Sequence, residues 1–369
     1  MTAVRGATAK PGTLWYVSCE LPTPGQASNT HMMGIIHGLE ALGWQTQLWH
    51  PAARQGPRGA ARRIVDITTF QLRLVTRRRK PDVLYVRGHF LSLPSVLWAR
   101  LRRVPVVWEL NGPGGDILSS WPRLRPILGV LKLAVDAQLR LSAAVISVTP
   151  ALAELATSRG ATHSYVVSNG ADTDEFSPQA ESALDLPGLF VAFVGNLARW
   201  QGVATVLAAL ERPAWPADVA LVVVGDGVMA GAVQELAARE PRLRYLGRID
   251  HAQVAGVLAR SLCALSPMVE ADRALTGVVP LKLFEAMACG VPVIATDLPG
   301  QTEIVRSADA GLVIPAGDED ALGAAVATLA GEPAERSRLG ANARRAAVEQ
   351  HSWRARAVET DTIIRSVLR

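Results

Sequence analysis

The sequence predicts an α/β protein of two Rossmann-like domains in tandem, on three observations. Short apolar segments such as "VPVVWEL" and "ALVVVGDG" alternate with helix-period segments, the pattern of parallel strands covered on both faces. That alternation stops at a polar stretch near residue 170 and then restarts. The chain also has 369 residues, more than one core usually holds.

The elements follow in order. "LWYVSCE" (14–20) reads as the first strand, followed by the turn-rich loop "LPTPGQASN". The helix "THMMGIIHGLEALG" and the strand "QTQLWHP" come next. "DVLYVRG", the helix "LSLPSVLWARLRR" and "VPVVWEL" continue the alternation. After a Gly/Pro loop, a long helix runs to about residue 141, and "AAVISVT" ends the first half. "SNGADTDEFSPQAESALDLPG", with Asn-Gly and Pro-Gly turns, is the interdomain connection. The second half restarts with the strand "FVAFVG" and the helix "VATVLAALE". It continues through "ALVVVGDG", the helix "MAGAVQELAARE", "RYLG", "CALSP", "VPVIAT" and "GLVIPA". A terminal helix occupies 352–369. The expected division is 1–180, 181–351 and this last helix.

Composition excludes several classes. At 49% apolar and 19% charged the chain reads as an ordinary globular enzyme, and no apolar run is long enough to span a bilayer. The N-terminus lacks the apolar core and cleavage site of a signal peptide. Cys19, Cys263 and Cys289 have no metal-ligand spacing and read as buried thiols of a reducing compartment, so a cytoplasmic protein is expected. Charge is uneven: residues 1–180 carry 20 Lys+Arg against 11 Asp+Glu, and 181–369 carry 18 against 22. A basic first half suits nucleic acid, an anionic membrane or an anionic substrate. Nucleic acid is disfavoured, because aromatics do not interleave the basic residues and no groove-reading motif occurs.

The most informative stretch is "TGVVPLKLFEAMACGVPVIATDLPG" (276–300). Proline and glycine punctuate a helix over Pro280–Cys289, followed by a buried strand at 291–296. Lys282 and Glu285, three residues apart, share one face near the helix N-terminus. A lysine in the first turn opposes the helix dipole unless an anion lies between them. Glu285 lies about 5 Å deeper, where a carboxylate can accept hydrogen bonds from a ribose diol. Glycines at strand ends, in "FVGNLARWQG" and "VVGDG", provide the close backbone approach that a diphosphate needs. The expected ligand is a nucleoside diphosphate. Neither G-x-G-x-x-G nor a Walker A motif stands at a strand–helix junction, which disfavours dehydrogenases and P-loop kinases.

Taken together, "FVGNLARWQGVATVL", "LVVVGDG", "YLGRI", "KLFEAMACGVPVIATDLPGQTEIV" and "GLVIPAGD" resemble the GT4-type glycosyltransferases of GT-B fold, in a subgroup with W-Q-G and P-L-K-L-F-E variants. "GLEALGWQTQLW", "PDVLYVRG", "PVVWELNGP" and "VVSNGADTDEF" extend the resemblance over nearly the whole chain. It implies a metal-independent, cofactor-free, retaining transferase that moves a sugar from a nucleotide-diphosphate donor to an acceptor hydroxyl, as in cell-surface polysaccharide or glycolipid synthesis. The donor would bind the second domain and the acceptor the first, and the last helix would cross back to the first.

The implied donor set is Gly195, Asn196, Gly225, Asp226, Gly227, Glu270, Gly277, Val278, Val279, Lys282, Leu283 and Glu285. Arg199 and Lys282 are the cations for the leaving diphosphate. Glu109 and Asn111, in "ELNGPGG", are the candidate catalytic residues of the first domain, with Gly25 and His31 near the acceptor; His31 also suits a surface or capping role. Three departures from the family stand out. Gly277 replaces the first donor-site glutamate, Asn196 an arginine, and Gln201 a lysine; Glu270 and Asp272 are possible substitutes for the glutamate. These departures motivate the alternative of a non-catalytic nucleotide-sugar-binding partner. Trp200 could stack on a base or pack. The basic first domain suits peripheral contact with the inner face of the plasma membrane and a lipid-linked acceptor; a glycan or small-molecule acceptor stays open.

Overall fold

The computed structural model describes residues 12–52, 60–112, 122–269 and 276–369. The chain divides into two compact units: Met1–Ser168 with Arg356–Arg369, and Asn169–Ala355. Among the described residues, no helix is long and apolar enough to cross a membrane.

The first unit is built on six described strands: β1 (Thr13–Val17), β2 (Gln45–Trp49), β3 (Val83–Arg87), β4 (Val106–Leu110), β5 (Ala144–Ser147) and β6 (Ser164–Val166). All pair in parallel in the order β2-β1-β3-β4-β5-β6. Its helices are α1 (Ala27–Ala41), α2 (Ala60–Val75), α3 (Leu93–Leu101), α4 (Leu128–Leu141) and α5 (Pro150–Ser158). From β1 the chain steps one way to β2, then returns past β1 to β3, β4 and β5. Right-handed crossovers therefore set α1 on one face of the sheet and α2, α3 and α4 on the other. The contacts agree: α3 packs on both α2 and α4. Register brings Tyr16 beside Tyr85 and Arg87 beside Glu109. Side chains alternate along a strand, so Tyr85 and Arg87 share a face.

The second unit repeats the plan with β7 (Phe190–Val194), β8 (Ala220–Val224), β9 (Leu243–Gly247), β10 (Ala264–Ser266), β11 (Val293–Thr296) and β12 (Gly311–Ile314). Their order is β12-β11-β10-β7-β8-β9, again parallel. Helices α6 (Val203–Leu210), α7 (Ala230–Ala237), α8 (His251–Arg260), α9 (Leu281–Ala288), α10 (Gln301–Ala308), α11 (Glu319–Gly331) and α12 (Pro333–Glu349) cover both faces over two apolar clusters. The last helix, α13 (Trp353–Val367), leaves this unit at Ala355 and continues in the first.

The connector is the main difference from the sequence reading. Residues 169–180 pack with the second unit, because Phe176 is buried in its core and Ala171 bridges Ser352. Helix α2 and strand β6 were not expected. α2 mixes arginines and β-branched residues and has no capping signal, and β6 is only three residues long. Strand β11 begins at Val293 rather than Val291. Val291 N–H still closes the end of α9 on the Ala286 carbonyl at 3.1 Å.

Candidate functional site

In a doubly wound sheet, ligands gather beyond the strand carboxyl ends where the strand order reverses. These points lie between β7 and β10 in the second unit and between β1 and β3 in the first. Each unit has a buried charge at its reversal.

In the second unit, the loops after β7 and β8 meet backbone to backbone. Gly225 has φ 134°, and a Cβ there would lie 1.8 Å from the Gly195 carbonyl oxygen, so only glycine closes the gap. Lys282 comes to this loop from the first turn of α9: a Cβ on Gly195 would be 3.7 Å from its Nζ. The lysine is 9% exposed, and its Nζ has no hydrogen-bond partner among the described residues. It sits 4.1 Å above the Phe193 ring centre, a cation–π contact that only partly replaces lost water. Burial lowers its pKa to about 7, against the opposing pull of Glu285. Glu285, also buried, is pushed up by desolvation, which outweighs the influence of His251 and Lys282.

The segment before α9 is pinned on both sides. Val278 bridges Gly300, and its N–H donates to the Pro299 carbonyl at 2.8 Å. The Val279 carbonyl accepts from Asn169 Nδ2 at 2.6 Å. Sequence reasoning had assigned Asn169 to turn chemistry. The structure makes it a brace under the donor loop, and nothing in its local pattern announces a contact 110 residues away. Gly277 stands in the left-handed region at φ 72°.

The other expected donor residues divide into three groups. Asn196, Arg199 and Asp226 are exposed around the glycine loops. Asn196 Oδ1 lies beside Gly227, and Asp226 accepts the Gly227 N–H at 2.7 Å. Leu283, expected at the donor, is wholly buried in the core and its N–H is spent on Pro280, which makes it a packing residue. Glu270 and Asp272 lie outside the described residues. Gln201 is buried, and its Oε1 has no hydrogen-bond partner among the described residues. Trp200 packs with Met268, Val278 and Leu298. Cys289 is core, as its helix pattern indicated.

In the first unit, Glu109 is 1% exposed and is the centre of a network. Its Oε2 accepts from Tyr85 Oη at 2.8 Å and Tyr16 Oη at 3.4 Å, and lies 3.0 Å from His31 Nε2. Its Oε1 accepts from Arg87 Nη1 at 2.9 Å and from Asn111 Nδ2. Arg87 reaches on to Glu20 at 3.2 Å. Burial alone would raise the Glu109 pKa. His31 and Arg87, together with the Asn111 hydrogen bond, instead hold the carboxyl well below the usual range. A carboxylate so satisfied is a poor proton acceptor and a good fixed anchor. His31 is thus tied into this network, while Gly25 is an exposed turn at φ 77° with open space around it. Sequence reasoning missed Arg87, Tyr16 and Tyr85. An arginine ending the buried strand "VLYVR" was the available signal.

Comparison with known proteins covers both units. A family described as Glycosyltransferase Family 4 matches residues 28–175, and one described as Glycosyl transferases group 1 matches 189–332. Alpha-maltose-1-phosphate synthase of Mycolicibacterium smegmatis is 29% identical over 313 residues, 76% of each chain. Among solved structures, sucrose-phosphate synthase of Thermosynechococcus elongatus superimposes with TM-score 0.75 at 21% identity, covering 96% of this chain and 98% of that one. HepE of Anabaena in complex with UDP-glucose has TM-score 0.70 at 17% identity, covering 96% of this chain and 100% of the other.

Proposed function

We propose a donor and acceptor assignment for this chain, which belongs to the GT4-type glycosyltransferases of GT-B fold. The donor is a nucleotide-diphosphate sugar bound on the second unit. The observation that carries this reading is the buried Lys282 ammonium, against the Gly195 loop and without a hydrogen-bond partner among the described residues, with Glu285 one turn deeper. A diphosphate supplies the missing partner, and Glu285 accepts hydrogen bonds from the ribose hydroxyls. The UDP-glucose complex of HepE supports a ligand of this class.

In the proposed reaction the bond from the sugar's anomeric carbon to the diphosphate oxygen breaks, and the acceptor oxygen bonds to that carbon on the same face. The acceptor proton passes to the departing diphosphate, so configuration is retained and no protein base is required. Arg199, Lys282 and the backbone N–H groups near Gly195 and Val279 stabilise the developing charge, a contribution of about 3 kcal/mol for one well-placed donor. These groups do so without a metal, and activity should persist in excess EDTA. On the first unit, Glu109 acts through its partners: it fixes His31, Arg87 and Asn111 where the acceptor is expected. The basic charge of that unit supports a lipid-linked acceptor and peripheral membrane contact.

The test is thermal-shift binding of UDP-, GDP-, dTDP- and ADP-sugars to wild type and to Glu285→Ala. A ligand at about 100 times its dissociation constant adds about 2.7 kcal/mol of stability. One nucleotide series should stabilise the wild type and lose most of that effect in Glu285→Ala. No shift with any nucleotide would sink the donor assignment. Binding without turnover on any acceptor would favour the non-catalytic partner instead. The anomeric configuration of the product, read by NMR, tests retention.

A further inference from the structure

Lys282 is not the only buried polar group left open at the reversal point of the second sheet. Gln201, on the same loop after β7 as Gly195, is 7% exposed, and its Oε1 accepts no hydrogen bond from any described residue. The other three buried glutamines have both ends of the amide satisfied. Gln71 bonds Leu91 and Ser95, Gln138 bonds His89 and Trp108, and Gln301 bonds Thr296 and Ser266. Burying an amide oxygen without a donor is a net cost to the fold.

The turn that carries Gln201 is fixed at both ends, so the open oxygen is not a matter of slack. Upstream, Leu197 N–H donates to the Asp226 carbonyl at 2.9 Å. Downstream, the turn is clamped on the exit of β10. Val269 N–H donates to the Trp200 carbonyl at 3.1 Å. Gly202, at φ 73°, stands so close to Pro267 that a Cβ would lie 1.7 Å from its carbonyl oxygen. The exit of β10 is held in turn, because Thr296 Oγ1 donates to the Met268 carbonyl at 2.7 Å and accepts from Gln301 at 2.9 Å. Gln201 therefore spans the exits of β7 and β10, where the strand order reverses and ligands gather.

What completes Gln201 differs in kind from what completes Lys282. An amide oxygen only accepts, so the group that meets it carries an O–H or N–H. The diphosphate that suits Lys282 has neither at neutral pH, and the ribose hydroxyls go to Glu285. The sugar is joined directly to the diphosphate, on the side away from the ribose, and it carries several hydroxyls. We propose that Gln201 is a sugar-specificity residue of the donor site, its Oε1 accepting a hydrogen bond from a hydroxyl of the transferred sugar. This rests on the donor reading above and adds the group that tells a nucleotide sugar from its bare nucleotide.

The experiment is calorimetric titration of the full chain with matched pairs: UDP and UDP-glucose, GDP and GDP-mannose, dTDP and dTDP-glucose, ADP and ADP-glucose. For each pair that binds, the quantity read is the affinity of the nucleotide sugar divided by that of the nucleotide. In Gln201→Met this ratio should fall about tenfold, the worth of one neutral hydrogen bond, with nucleotide affinity unchanged. Gln201→Glu keeps an acceptor oxygen in place: both affinities should weaken by repulsion of the diphosphate, while the ratio is kept. Gln201→Lys can only donate, so it should hold the nucleotide at least as tightly and still lose the ratio. The ligand-free melting temperature of Gln201→Met should not fall, since methionine fills the same space and removes an unmet acceptor. A lower melting temperature with the ratio intact would make Gln201 a structural residue and overturn the proposal. Equal loss for nucleotide and nucleotide sugar also overturns it, by placing the contact on the nucleoside, as does a ratio that Gln201→Lys preserves. If no nucleotide binds the wild type, the donor assignment fails and this inference fails with it. Nucleotide-sugar binding with the same ratio in Gln201→Met removes this inference alone.

Discussion

The two units share a plan but treat a buried charge in opposite ways. Glu109 in the first lies among Tyr16, His31, Tyr85, Arg87 and Asn111, which satisfy both its oxygens. Lys282 in the second is also buried, yet among the described residues its Nζ meets the face of Phe193 and no hydrogen-bond partner. A buried ion with its hydrogen bonds complete belongs to the scaffold. One left without them costs free energy and persists where a ligand completes it.

The largest effect should come from breaking the satisfied network. Glu109→Gln leaves Arg87 without its buried counter-charge, and the loss should be about 3–5 kcal/mol. It would be read as a lowered melting temperature of the first-unit transition, with donor binding to the second unit retained. The same network sets an acid limit. The folded pKa of Glu109 is depressed, so its contribution is present above the unfolded carboxylate range and lost as pH falls below about 4.5. Denaturant melts between about pH 6 and pH 3 should show this fall, and Glu109→Gln should lose it.

Lys282→Met sharpens the contrast. It removes an uncompensated buried charge and fills the same space, so the ligand-free protein should melt no lower than wild type. Turnover should nevertheless drop by about 10²–10³-fold, as for loss of one preorganised charge-stabilising contact. A lower melting temperature would mean that Lys282 is part of the scaffold after all.

A smaller effect follows from titration. The Lys282 pKa is about 7 in the free site, and a bound diphosphate raises it. Its contribution to donor affinity is therefore complete below about pH 7 and fades as pH rises through the bound-state pKa. At about pH 8, binding should take up a fraction of a proton, read by calorimetry in buffers of different ionisation enthalpy. Lys282→Met should abolish the uptake. Smallest is Asn169→Ala, which leaves the Val279 carbonyl without its side-chain donor. A loss of about 1–3 kcal/mol should raise the donor KM more than it lowers kcat; an unchanged KM would make the brace incidental.

Much of this molecule is legible in its sequence. Continuous apolar strands alternating with helices dictate two parallel sheets, because only strands covered on both faces can be apolar throughout. Pro280 and Gly290 bound α9, and the spacing of Lys282 and Glu285 follows from helix geometry alone. Those are local rules, and local sequence satisfies them. Tertiary structure decided the rest. Register placed Arg87 beside Glu109, and strand order brought Tyr16 to Tyr85, both across pairings that no short segment encodes. Folding set Asn169 under Val279 and aimed Lys282 at Gly195 with no hydrogen-bond partner among the described residues. Whether a charge is spent or waiting depends on what the rest of the chain puts within about 3 Å of it, and sequence distance does not report that.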